Sequence, residues 1–255
     1  MMNQNDIKEF LDEKVLKYNQ PNFIPNDPIQ IPHLFTKKED IEIAGFLSAI
    51  LAWGKRDQII KSAKKLMQLL DHSPYDFITH ASDSDLNTFE TFYYRTFSSI
   101  DCIYFIKALK HIYNQEGGLE NVFTKGYNEG GLKEALRYFR SVFLSYNSPD
   151  RTHKHIANID KGASAKRINM FLRWMVRDDD KGVDFGIWKN ISTKDLLLPL
   201  DVHTGNVSRK LGFLTRKQND MKALDEIMYH LRNFDAVDPV KYDFALFGLG
   251  IEEQF

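Results

Sequence analysis

A single cysteine, Cys102, stands among the 255 residues of the chain. One thiol excludes an intramolecular disulfide and any cysteine-ligated zinc or iron–sulfur centre, which needs several thiolates at short spacing. That scarcity fits a reducing, cytoplasmic setting. No uninterrupted apolar run approaches the roughly 20 residues that span a bilayer, and MMNQNDIKEFLDEKVLKY has no basic start followed by an apolar stretch. Secretion and membrane insertion are not expected. A strong charge of one sign is also missing: 34 Lys and Arg face 35 Asp and Glu, for a net charge of −1. This argues against a broadly basic nucleic-acid binder. No alternation of strands and helices, fixed-period repeat or low-complexity tract is visible.

What the chain has is helical patterning over a 43% apolar composition. DIKEFLDEKVLKYN reads as a first amphipathic helix, and NQPNFIPNDPIQIPH, with four prolines, as an extended connector. KKEDIEIAGFLSAILAW begins a strongly apolar helix stopped near Gly54, and DQIIKSAKKLMQLLDH takes Asp57 as its cap. SPYDFITHAS is a short helix led by Ser73 and Pro74, SIDCIYFIKALKHIYNQ ends at Gly117 and Gly118, and GGLKEALRYFRSVFLSY follows a second Gly pair. The closing DPVKYDFALFGLGI reads as a Pro-containing helix start at Asp238 followed by core. The fold class expected is all-α.

Charge is unevenly placed. From His203 to Lys217 there are four cations (Arg209, Lys210, Arg216, Lys217) and no acid, and Lys161, Lys166, Arg167, Arg173 and Arg177 crowd a second segment. Each reads either as a solvated helix face or as a strip that tracks a phosphate backbone. RDDDKGVD offers Asp178, Asp180 and Asp184 as hard oxygen ligands but lacks the calcium-loop pattern, and reads as a solvated acidic loop. His153 and His155 in HKHIAN are too short a pattern for a metal site, so no metal is expected.

Two segments carry chemistry. In NIDKGASAKRINMFLRWMVR a short Gly-containing turn feeds directly into a helix, with Lys166 in its first turn. Such a start presents backbone N–H groups to a phosphate, or is simply a tight turn between closely packed helices. In LLLPLDVHTGNVSRKLGFL, Asp201 stands where an N-cap carboxylate would open a helix, with Val202, Val207, Leu211 and Leu214 at near-helical spacing. It is a cap, or a cap that does more.

GASAKRINMFL, PLDVHTGNVSRKLG and FLSAILAWGKRDQIIKSAKKLM resemble three segments of the helix-hairpin-helix DNA glycosylases, the superfamily of endonuclease III and the 8-oxoguanine glycosylases. The likeness covers roughly residues 40–250. It sets Gly162 and Ser164 on the hairpin glycines, Lys166 on the nucleophilic lysine of the bifunctional members, Asp201 on the catalytic aspartate and His203 on its neighbouring histidine. Together with KRINMFLRWMVR and DPVKYDFALFGLG, the whole is similar to an uncharacterised bacterial family read as a distant branch. The resemblance implies a two-lobed fold with a cleft between a helical barrel domain, 40–194, and a terminal domain, 1–39 with 195–255. Residues 173–195 hold an insertion between the lysine and the aspartate.

The implied function is excision of a damaged base, such as an oxidised one, from double-stranded DNA, with strand cleavage through a Schiff base. Lys166 attacks the sugar and Asp201 stabilises the positive charge that develops there. Gly162, Ser164, Arg167, His203, Arg209, Lys210, Lys55 and Arg56 are the implied DNA contacts, with Gly54 standing where an inserted wedge residue is expected. Trp53, Trp174, Trp188 and Phe247 are candidate walls for an extruded base, or plain core. No cofactor is implied, because the cysteine cluster of the iron–sulfur branch is absent, and the sequence sets no oligomeric state. Two other readings stay open: a binding module that keeps the fold without cutting, and a helical protein unrelated to DNA.

Overall fold

The computed structural model describes residues 3–255. It is all-helical: ten α-helices with 3-10 turns between them, and no strand among the described residues. Helix α1 (Gln4–Tyr18) opens with a capping box in which Asn3 accepts from the N–H groups of Asn5 and Asp6, and it buries Ile7, Leu11 and Val15 at i, i+4 spacing. The proline-rich connector is not extended. It folds as three 3-10 helices, Pro21–Asn26, Pro28–Gln30 and Pro32–Leu34. Each starts on a proline, whose fixed φ and missing N–H suit the first position of a helical turn.

The chain divides into two compact units, Pro25–Ala157 and a second formed by the N-terminal residues up to Ile24 with Asn158–Phe255. In the first, α2 (Lys38–Leu51) is buried continuously from Ile41 to Leu51. A helix apolar on all sides belongs at the centre of its unit. Around it stand α3 (Arg56–Leu69), α4 (Pro74–His80), α5 (Ser99–Gln115) and α6 (Leu119–Leu144). Lys55, not Asp57, occupies the cap position of α3, so that Asp57 falls in the first turn, where a carboxylate still complements the helix dipole. The core is phenylalanine: Phe46 lies 5.5 Å from Phe139 and Phe143, Phe105 lies 4.7 Å from Phe143, and Phe123 stacks on Phe139 at 4.4 Å. Gly117 and Gly118 end α5 at φ 79 and 96°. Gly130 and Gly131 leave helical geometry inside α6, so its two halves meet at a kink without a loop.

The second unit adds α7 (Lys166–Val176), α8 (Val202–Lys210), α9 (Met221–Phe234) and α10 (Tyr242–Ile251) to α1. Residues 158–194 fold with the terminal helices because their polar groups are satisfied there. The Met221 N–H donates to the Gly162 carbonyl at 2.9 Å, and Arg177 pairs with Asp238 at 2.9 Å. The segment between α7 and α8 has little regular structure yet is firmly held. The Phe185 and Trp188 N–H groups donate to the carbonyls of Trp174 and Met175, at 2.8 and 2.9 Å, and the Trp188 ring meets Phe171 edge-on at 5.3 Å.

Helices α1 and α10 approach closely at Gly248, where an added methyl group would lie 2.3 to 2.5 Å from the Tyr18 ring. That ring cannot swing aside, since its hydroxyl donates to Glu253 at 2.6 Å. Lys17, Tyr18 and Lys14 together hold the Glu253 carboxyl down at about 2. Gly248→Ala is expected to destabilise the protein by about 1–3 kcal/mol through overpacking, more than the roughly 1 kcal/mol that alanine gains in helix propensity. Urea denaturation of the variant checks this; a midpoint equal to or above that of the wild type would show that the two helices can separate freely.

Candidate active site on the helix starts of α7 and α8

The turn before α7 is built from two left-handed residues. Gly162 has φ 85° and Ala165, the cap of α7, has φ 52°. The second left-handed position thus falls on Ala165, one residue beyond Ser164, and an alanine there carries a backbone cost of about 1–2 kcal/mol. The N–H groups of Gly162 and Ala163 donate to the carbonyls of Ile159 and Asn158, at 2.9 and 3.3 Å. They are committed inside the turn, so any phosphate grip would fall to the residues after them. The segment preceding the turn is one 3-10 turn, Ile159–Lys161. Buried Asn169 ties the turn to its helix by donating to the Ser164 carbonyl at 2.9 Å.

Lys166 is the first residue of α7 and is half-buried. Its neighbour Arg167 is also half-buried, and burial pushes its guanidinium down to about 10, still protonated at neutral pH.

Asp201 caps α8. Its Oδ1 accepts from the N–H groups of His203 at 2.8 Å and Thr204 at 3.0 Å, while the Thr204 hydroxyl accepts from the Asp201 N–H at 2.8 Å. This capping box uses one carboxylate oxygen. Oδ2 accepts no hydrogen bond from any described residue, and the side chain is half-buried. The backbone beneath is fixed by Asn219, which donates to the Asp201 carbonyl at 2.8 Å and accepts from Arg209 at 2.7 Å. Arg209 also donates to the carbonyls of Arg216 and Lys217, at 2.8 and 2.9 Å, so it staples the loop after α8. His203 and Lys210 are exposed.

Three of the charges that sequence reading placed on a basic strip or an acidic loop, Arg173, Arg177 and Asp184, are buried, while Lys161, Lys210, Lys217, Asp178 and Asp180 are exposed and Lys166, Arg167, Arg209 and Arg216 half-buried. Arg173 and Arg177 are 3% and 2% exposed. Arg173 pairs with Asp184 at 3.2 Å and with Asp243, while Arg177 pairs with Asp184 at 3.1 Å, Asp179 at 2.5 Å and Asp238 at 2.9 Å. Both guanidinium groups also lie over the Phe244 ring. Neither arginine faces a nucleic-acid backbone, and Asp184 is no solvated loop residue. Asp178 pairs instead with Lys189 at 2.5 Å, and among the described residues no cluster of His, Cys, Asp or Glu is placed to hold a metal. Burial raises Asp184 against the pull of Arg173 and Arg177. It raises Asp243 to about 7, with Arg173 and Lys166 opposing the rise and Asp201 and Asp184 adding to it. Sequence reading missed Asp243; the available signal was an acid at the head of an otherwise apolar helix.

The aromatic candidates separate. Trp174 and Trp188 are 0% and 1% exposed and belong to the core, where no base reaches them without repacking. Phe247 is half-buried, 6.3 Å from Phe23. Trp53 belongs to the other unit, with exposed Lys55 and with Arg56 opening α3. The Arg95 guanidinium covers its ring at 4.4 Å, and Tyr94 donates to its carbonyl at 2.6 Å.

A family model described as a protein of unknown function (DUF2400) matches residues 27–252. The chain belongs to this family. None of the curated proteins and none of the solved structures compared with it matches. The DUF2400 segment takes in Lys166, Asp201 and Asp243 together with Trp53, and leaves α1 outside. No helix among the described residues is long and apolar enough to cross a membrane.

Proposed function

We propose that this DUF2400 protein is a DNA glycosylase of the helix-hairpin-helix type with lyase activity, in which Lys166 is the nucleophile and Asp201 stabilises the reacting sugar. The observation that carries the reading is the divided carboxylate of Asp201, whose Oδ1 opens α8 while Oδ2 takes no hydrogen bond from any described residue. A carboxylate held rigidly by one oxygen is preorganised to present the other to positive charge, as departure of a base from its sugar requires. Lys166, the first residue of α7, supplies a half-buried amine. Its neutral amine attacks the anomeric carbon as the base departs and takes up a proton; loss of the amine proton with opening of the ring, whose oxygen is protonated, gives the imine, and removal of a C2′ proton then expels the 3′ phosphate.

Borohydride trapping tests this on duplexes carrying 8-oxoguanine, an oxidised pyrimidine, uracil or an abasic site. The wild-type protein is expected to form a reduced covalent adduct on the abasic duplex and on at least one lesion. Binding to those duplexes is expected to weaken steeply with salt, because neutralised phosphates release counterions. Salt-sensitive binding with no adduct would replace the enzyme by a binding module. Absence of both would remove DNA from the account.

A further inference from the structure

We propose that a hollow beside α5 binds a free mononucleotide, with its phosphate on Lys107 and Lys110 and its base against the rings of His111 and Tyr146. The site lies within the unit Pro25–Ala157 and stands independently of the reading given to Lys166 and Asp201.

Helix periodicity builds one wall. Lys107, His111 and Asn114 recur at i, i+4 and i+7 on α5, with Lys110 one turn before Asn114, so the four side chains share a face. The other walls come from the end of α4 at Ile78 and Ala81, from Leu86 in the 3-10 turn Asp85–Phe89, and from Tyr146 just beyond α6. Together they enclose about 330 Å³. Ligand sites commonly measure about 300–1,000 Å³, so this one has room for a single nucleotide and not for a chain of them. From Lys107 to Asn114 the helix rises about 10 Å, which separates a cationic end from an aromatic and amide end.

Each end has its own chemistry. Lys110 donates to the Ala81 carbonyl at 2.7 Å, a neutral acceptor that fixes the ammonium and leaves its charge unmet. Lys107 pairs with Asp83 at 3.0 Å, but the two side chains are 41% and 90% exposed, and so solvated a pair holds weakly. A phosphate between the two ammonium groups carries more charge than Asp83 and accepts from both. At the far end the His111 and Tyr146 rings lie 5.8 Å apart with planes 18° from parallel, and Tyr146 is exposed enough for a further flat ring to stack on it. The exposed Asn114 amide both donates and accepts, as the edge of a base requires. Buried Ile78, Leu86 and Ile106 supply an apolar floor. A simple anion would leave the rings unused, and an uncharged ring would leave the lysines unused. A nucleotide uses both.

Titration calorimetry of the full chain with AMP, GMP, CMP and UMP, and with adenosine and inorganic phosphate as the separate halves, tests this. At least one nucleotide is expected to bind at least tenfold more tightly than either half. Lys107→Ala should weaken that nucleotide about tenfold, the loss expected for a hydrogen bond to a charged group, and leave adenosine unchanged. Tyr146→Ala should weaken nucleotide and adenosine alike, again about tenfold, and leave phosphate unchanged. Both side chains are largely solvated, so both variants keep the fold. No binding of any nucleotide at millimolar concentration overturns the proposal. So does binding that neither substitution changes, which would place the nucleotide elsewhere, and so does phosphate that binds as tightly as the nucleotides, which would make the hollow a plain anion site.

Discussion

Replacing Arg173 with methionine is expected to cost about 3–5 kcal/mol of folding stability, the loss that follows when one partner of a buried ion pair is removed. Methionine fills much of the same volume, so little of this comes from a cavity. The loss arises because Arg173 holds both Asp184 and Asp243, and burial alone drives each carboxyl toward its neutral form. Its sign with pH follows from linkage. Asp243 rises from 3.8 unfolded to about 7 folded, so between these values the folded chain binds more protons than the unfolded one, and stability falls as pH climbs through the window. Without Arg173 the folded value moves higher still and the window widens upward. Urea denaturation at pH 5.5 and pH 8 should therefore show a greater loss at pH 8. The triple variant with Asp184→Asn and Asp243→Asn should recover part of it. A cost below about 1 kcal/mol, independent of pH, would mean that water reaches these groups and that they behave as surface pairs.

This network also shows where sequence reading succeeds and fails. Some helix starts are local: Asp201 signals its cap by residue type, because the groups it satisfies are two or three positions away. Lys166 is legible differently, from the Gly-containing turn that precedes α7, since the cap there is Ala165 and makes no side-chain bond. The partner of a buried charge is not local. Arg173 looks like a member of a basic strip until Asp243, 70 residues on, is known to meet it. Trp174 and Trp188 were equally ambiguous, because an aromatic side chain suits both a base pocket and a core; their near-complete burial decides for the core. The prolines of the connector suggest an extended chain, because proline bars the interior of an α-helix, yet proline suits the first position of a short 3-10 turn.

Lys166→Gln is expected to abolish the borohydride adduct while leaving the protein folded, since the side chain is half-buried and glutamine keeps most of its aliphatic length. Asp201 requires two variants, because it does two things. Asparagine caps a helix about as well as aspartate, so Asp201→Asn should leave stability within about 0.5 kcal/mol while slowing single-turnover excision about 100- to 1,000-fold through loss of the charge. Asp201→Ala should slow excision comparably and lose about 1 kcal/mol in addition, because the N–H groups of His203 and Thr204 then lack their acceptor. If the carboxylate is only a cap, the two variants separate the other way: asparagine keeps the full rate, and alanine loses stability with activity following only as far as α8 frays. The comparison isolates Oδ2, since asparagine preserves the capping oxygen and changes only the charge and the group beside it.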